Sequence, residues 1–221
     1  MVRWTQFGAP PAALRVHSTK DARLDRRPWL SGERETVAMR RMYHMRSELM
    51  PYIYSSVWQT HSTMVPLNRP MYIDYGHEKP AYENPQEFLF GDNLLAAPIT
   101  SPGEGEEKVA SQQVWFPAGD VWYDFFTHER VDGGQVRRIA KPLDEFPLYV
   151  RGGWVLPMQP YTPRPASTPL TTLVMRVYPA SGAAANTNTL HQHHALTPDY
   201  QRRPPPPPAP HTPPPPPAPH P

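Results

Sequence analysis

Apolar residues recur at helical spacing from about Glu33 to Met64. Ala38, Met42, Met45, Leu49, Tyr52, Ile53 and Val57 share one side, and Arg34, Arg40, Arg41, Arg46 and Glu48 fall mostly elsewhere. This pattern predicts one long amphipathic helix laid on a core. Pro51 interrupts it. Proline has no backbone donor and crowds the preceding turn, so a kink is expected near Ser47 to Pro51. Upstream, Gly8-Ala9-Pro10-Pro11 breaks any helix. The apolar run Ala13-Leu14-Arg15-Val16-His17 predicts a short buried strand, and Ser18 to Glu33 reads as polar loop.

After Pro66 the period changes. Strand-length runs follow at Met71–Ile73, Phe88–Phe90, Leu94–Ile99, Val114–Phe116, Trp122–Phe126, Gln135–Ile139, Leu148–Val150, Val155–Leu156 and Leu173–Tyr178. Turn chemistry separates them: Gly91-Asp92-Asn93, Pro117-Ala118-Gly119-Asp120, Asp132-Gly133-Gly134 and Arg151-Gly152-Gly153. Many short strands at regular spacing predict an all-β sandwich. The chain then changes character. Pro204 to Pro221 holds 13 prolines and no aliphatic residue larger than alanine. Such a segment buries too little apolar surface to offset its ordering entropy, so a disordered polyproline tail is expected.

Composition narrows the function classes. Lys+Arg 22 against Asp+Glu 20 gives a formal net charge of +2, which argues against a nucleic-acid footprint. With no cysteine, thiolate nucleophiles, thiolate metal sites and disulfide frameworks are excluded. No apolar run approaches the roughly 20 residues of a membrane span. The opening Met-Val-Arg-Trp-Thr-Gln lacks the apolar region of a secretory signal. Compartment stays open.

Particular residues say more. Arg3-Trp4-Thr5-Gln6-Phe7-Gly8-Ala9 followed by Arg15-Val16-His17 resembles the RWxQ-G-A…RxH signature of glycoside hydrolase family 31. Leu49-Met50-Pro51-Tyr52-Ile53-Tyr54-Ser55 looks like that family's last barrel helix, internal proline included. In the family's order come Pro66-Leu67-Asn68-Arg69-Pro70-Met71, Phe90 to Pro98, Phe116-Pro117-Ala118-Gly119 with Trp122-Tyr123-Asp124-Phe125, and Pro147-Leu148-Tyr149-Val150-Arg151-Gly152-Gly153. The sequence departs at Pro10-Pro11, where the family has an aromatic and a small residue, and at Ser18, where it has glycine.

The resemblance implies a mixed fold: the last βα unit of a (β/α)8 barrel, then an all-β sandwich, then the Pro-rich tail. Residues 1–64 would end the barrel, 65–160 would form the proximal β-sandwich, 161–202 would begin a degenerate distal β-domain, and 203–221 would be the tail. It also implies a carboxyl-terminal fragment of a retaining α-glycosidase acting on an α-linked oligosaccharide or glycoside, without cofactor or metal. The family's two catalytic aspartates sit on earlier barrel strands, so no residue here takes the catalytic role and the chain alone is expected to be inactive. His17 aligns with the family histidine that hydrogen-bonds the sugar beside the nucleophile, and Arg15 would support that strand end.

Other constellations read more plainly. Trp122-Tyr123-Asp124-Phe125-Phe126 is expected in the core rather than as a sugar platform. Asp120 and Asp124 are expected as turn and strand polar groups, and Asp92 as turn chemistry. His191-Gln192-His193-His194 could ligate zinc, copper or nickel, but it stands where the family has an acidic turn, and no metal is expected. A second reading, a non-catalytic interaction protein, rests on the duplicated PPPPPAPH at Pro204–His211 and Pro213–His220. Polyproline II of that kind is a ligand for aromatic-grooved domains.

Overall fold

A computed structural model of the chain describes residues 1–17, 19–165, 168–180, 182 and 190. The polyproline repeats, His191 to His194 and Ser18 lie outside the described residues.

Helix α1 spans Val2–Gly8. The long amphipathic segment is two helices, α2 (Glu33–Glu48) and α3 (Met50–Thr63), parted at Leu49 with φ −79° and ψ 0°. The break falls inside the window the proline predicts. Pro51 then sits in the first turn of α3, where an absent N–H costs nothing because the helix would leave it unpaired. α3 ends at Met64, which takes the left-handed conformation (φ 62°) and donates its N–H to the Thr60 carbonyl at 2.9 Å. The following Val65-Pro66 discourages further helix.

Four more elements open the β-domain: β1 (Asn68–Pro70), a short α4 (Pro80–Glu83), β2 (Phe88–Phe90) and β3 (Leu94–Ala96). After them come β4 (Ala110–Phe116), β5 (Val121–Asp124), β6 (Arg130–Asp132), β7 (Gln135–Lys141), β8 (Leu148–Arg151), β9 (Val155–Met158) and β10 (Val174–Val177). The order β1-β2-β3-β8-β5-β6 forms a six-stranded sheet, β4 pairs with β7, and β9 pairs with β10. Every pairing between named strands is antiparallel.

Alternation along the six-stranded sheet sends side chains to two apolar layers. Phe90, Leu94, Ala96, Leu148 and Val150 face α2 and α3, packing on Met42, Met45, Leu49, Tyr52 and Ile53. Leu89, Leu95, Trp122 and Tyr149 face the β4–β7 pair through Val114, Trp115 and Phe116. A sheet covered on both faces explains the near-continuous Leu94-Leu95-Ala96-Ala97 run. Trp122 is fully buried, as a core residue should be, and the Arg151 guanidinium lies 5.2 Å from its ring.

Two expected strands are not formed. Met71–Ile73 is a 3₁₀ turn following β1. Ala13–His17 belongs to no sheet among the described residues, and Arg15, Val16 and His17 are exposed. A strand exists only through a hydrogen-bonding neighbour, and no described strand lies beside this one.

A Cβ on Gly91 (φ 62°) would stand 2.1 Å from the Tyr52 hydroxyl. That hydroxyl donates to the Phe90 carbonyl at 2.7 Å and receives the Asn93 N–H at 3.3 Å. The β2–β3 turn is thereby buttoned to α3.

Candidate functional site

The RWTQ segment presents Arg3 and Gln6 one turn apart, hence on one face of α1. Arg3 donates to the carbonyls of Glu145 (2.7 Å), Pro142 (3.1 Å), Lys108 (3.2 Å) and Lys141 (3.3 Å), and to Gln6 Oε1 (3.0 Å). Gln6 Nε2 donates to the Leu143 and Glu145 carbonyls at 2.7 and 3.1 Å. Two side chains therefore satisfy carbonyls of the β7–β8 connection, fastening α1 to the β-domain.

From α1 the chain runs through Pro10 and Pro11 to the predicted site residues. Gly8 lets Leu14 fold over the helix end, since a Cβ there would lie 2.6 Å from Leu14 Cδ1. Arg15 and His17 stand two residues apart. They meet: Arg15 Nη2 lies 3.3 Å from His17 Nδ1. Guanidinium has no acceptor, so Nδ1 accepts, and a neutral ring then carries its proton on Nε2. That leaves Nε2–H as a donor on an exposed side chain. Arg26 Nη1 also reaches the His17 carbonyl at 3.5 Å. The two predicted site residues are thus brought together, at the surface.

Carboxyl groups approach one another here through shared cations. Asp74 and Asp92 flank Arg69 at 2.7 and 2.8 Å. Asp124 and Glu145 flank Lys141 at 2.7 and 3.1 Å. Asp144 and Glu145 flank Arg41 at 2.5 and 3.2 Å. Asp124 also accepts the N–H groups of Phe126 and Thr127 at 2.8 and 3.0 Å, and Asp92 Oδ2 accepts from Gln59 at 2.8 Å. Asp120 faces Arg151 Nε at 3.4 Å. Each carboxylate weighed in the sequence is occupied in holding a turn or a junction. Among the described residues no group of three or more histidines and carboxylates is placed to hold a metal.

Sequence reasoning missed a groove of about 660 Å³ where α1 meets β1 and β2, lined by Trp4, Phe7, Asn68, Glu87, Phe88 and Ile99 among others. Trp4 is 66% exposed there, and Phe7 packs edge-on against Phe88 with centroids 5.9 Å apart. Glu87, only 2% exposed, receives the Trp115 N–H at 2.8 Å on Oε2 and has no partner on Oε1. Burial pushes its carboxyl up to about 8, against the pull of that N–H. In the sequence Glu87 stands in a polar Asn-Pro-Gln-Glu stretch, which carries no signal of burial.

Comparisons with known proteins converge. Residues 1–56 match the family model described as glycosyl hydrolases family 31 TIM-barrel domain, and residues 64–156 match that of the glycosyl hydrolase family 31 C-terminal domain. The chain is 32% identical over 178 residues to an alpha-xylosidase of Saccharolobus solfataricus, covering 80% of this chain and 23% of that one. It is 35% identical over 160 residues to neutral alpha-glucosidase C of Mus musculus, covering 72% and 17%. Among solved structures, a family 31 dextranase of Flavobacterium johnsoniae superposes with a TM-score of 0.75 at 25% identity, covering 91% of this chain and 24% of that one. An alpha-xylosidase of Xanthomonas citri gives a TM-score of 0.68 at 33% identity, covering 80% and 19%. The chain spans about a quarter or less of the length of each.

Proposed function

The chain belongs to glycoside hydrolase family 31, and we propose that it supplies the end of the catalytic barrel and the adjoining β-domain of a retaining α-glycosidase. The reaction proposed is hydrolysis of α-glucosidic or α-xylosidic bonds. A carboxylate attacks the anomeric carbon while a carboxylic acid protonates the leaving oxygen, and water then releases the sugar from the glycosyl-enzyme. Delivery to a sugar acceptor would use the same two steps. The observation that carries the reading is the paired match, barrel end then β-domain, with Arg3 and Gln6 fastening one to the other. Relatives named for α-xylosidase and α-glucosidase activity support the substrate class.

In this reading His17 contacts the substrate. Its Nε2–H donates to a sugar hydroxyl, and Arg15 holds the ring through Nδ1. His17→Ala, placed in an intact family 31 enzyme carrying this segment, is expected to lower kcat/KM by more than about tenfold, the loss of one good hydrogen bond to substrate. Unchanged kinetics would end the assignment.

The 221-residue polypeptide by itself is proposed to be inactive. A (β/α)8 barrel takes about 200 residues or more to close, and the carboxyl groups near one another here are held by Arg41, Arg69 and Lys141. The purified chain should give no turnover of p-nitrophenyl α-glucoside or α-xyloside above the buffer rate. Turnover that copurifies with it through two chromatographic steps would overturn this.

A further inference from the structure

We infer that Arg46 is the positioning residue that sets the His17 segment in place, an inference that rests on the reading of His17 as the sugar contact. Between residues 10 and 17 the backbone makes no hydrogen bond to the backbone of another described residue outside the segment. Two of its residues are prolines and have no N–H to give. A segment in that condition has its carbonyls to be held by, and Arg46 holds those at its start. Its Nη1 donates to the Ala9 carbonyl at 2.9 Å and to the Pro11 carbonyl, and its Nη2 donates to the Ala12 carbonyl at 2.7 Å. A planar fork of fixed N–H groups suits this fan of acceptors in a way a single ammonium does not.

The base of the fork is itself immobilised. Arg46 lies in the last turn of α2, just before the break at Leu49. Beside it, Ser47 Oγ donates to the Thr162 carbonyl at 2.6 Å and receives the Thr162 N–H at 3.2 Å. The Glu48 carbonyl receives the Gln159 N–H at 2.9 Å, and His44 stacks on Tyr161 with centroids 3.8 Å apart. The end of α2 thus grips the β-domain on one side and, through Arg46, the segment leading to His17 on the other. Leu14 seated against Gly8 adds the second hold. The site residue is aimed by a side chain that touches neither it nor the substrate.

The test has two arms. In the 221-residue chain, ¹⁵N relaxation reads the order of the Ala12 to His17 amides. Wild type is expected near the rigid value of about 0.85, Arg46→Met below about 0.6, and Arg46→Lys between them. The amides of α3 and β8 should not change. Loss of order throughout the chain, or none in the segment, overturns the inference. The second arm uses an intact family 31 enzyme carrying this segment. Arg46→Met is expected to lower kcat/KM about tenfold, and to cost little more in a His17→Ala background, because both act on one contact. Full additivity would mean Arg46 acts elsewhere and would overturn the inference. A silent His17→Ala would sink the His17 reading instead, and the relaxation arm would still judge the positioning.

Discussion

Lys141→Met is expected to cost the folded chain about 3–5 kcal/mol, the penalty for leaving a buried carboxylate without its cation. Lys141 ends β7 with its side chain 8% exposed, and Asp124, ending β5, is 5% exposed. Their Nζ–Oδ2 distance is 2.7 Å, and Glu145 completes the site at 3.1 Å. An exposed pair such as Arg130–Asp132 is worth only about 0–1 kcal/mol, since water screens it and two long side chains must be ordered. At Lys141 the alternative to the ion pair is no longer hydration. Asp124 keeps the N–H groups of Phe126 and Thr127 but loses its counter-charge.

The loss should spread beyond one pair. Glu145 is shared with Arg41 of α2, whose guanidinium lies 4.9 Å from the Phe126 ring centroid. The carbonyls of Lys141, Pro142 and Glu145 are among those Arg3 fastens. Urea unfolding is the measurement, with the midpoint read at constant slope so that a change in compactness is not mistaken for a change in stability. Adding Asp124→Asn to Lys141→Met should recover more than half of the loss, because it removes the stranded charge while keeping an acceptor for the turn. A single variant that loses less than about 1 kcal/mol would mean that water reaches Asp124 and that the junction is not dry.

The parts of this fold legible in the sequence are those governed by local rules. The Leu49 break follows from what Pro51 cannot do. The inner strands β2, β3, β5 and β8 follow from apolar runs bounded by turn residues. Met71–Ile73 looks the same in composition yet forms a 3₁₀ turn, because three apolar residues do not distinguish a strand from a turn pinned at Met71. Strand β6, Arg130-Val131-Asp132, carries a single apolar residue and exists through its pairing with β5. Ala13–His17 has the composition of a strand and no described neighbour to make it one. The candidate site divides in the same way. His17 and Arg15 were proposed through a family pattern, and they lie in mutual contact. Arg46, Glu87 and the grip of Arg3 were not, because their partners are backbone groups tens of residues away, and a sequence does not say which backbone N–H and C=O groups a fold will leave unpaired.

Glu87 gives the second large effect, and its sign is fixed by the direction of the shift. Its Oε2 accepts the Trp115 N–H of β4, on the side of that strand away from β7, so the carboxyl stands in for the carbonyl of a missing strand. Burial raises its pKa from 4.5 to about 8 in the folded chain, while the unfolded chain titrates near 4.5. Below pH 4.5 both states hold the proton and the stabilisation is fully present. As pH rises from there through about 8, only the unfolded state has released it, and stability is progressively lost. At about 1.4 kcal/mol per pKa unit the loss amounts to roughly 5 kcal/mol, enough to move a domain of ordinary stability close to its midpoint. Glu87→Gln keeps an acceptor for Trp115 and cannot ionise. Wild type and variant should therefore unfold at similar urea concentrations at pH 4.5, and the variant should be the more stable by several kcal/mol at pH 9, with every other titrating group cancelling in the difference. Parallel stability curves for the two proteins from pH 4.5 to 9 would mean that the groove beside Trp4 and Phe7 admits enough water to hydrate the carboxylate. In an intact enzyme of the family, any polypeptide that covers Trp4 would dry the groove further and push the loss to higher pH, since desolvation is the larger of the two opposing influences on this carboxyl.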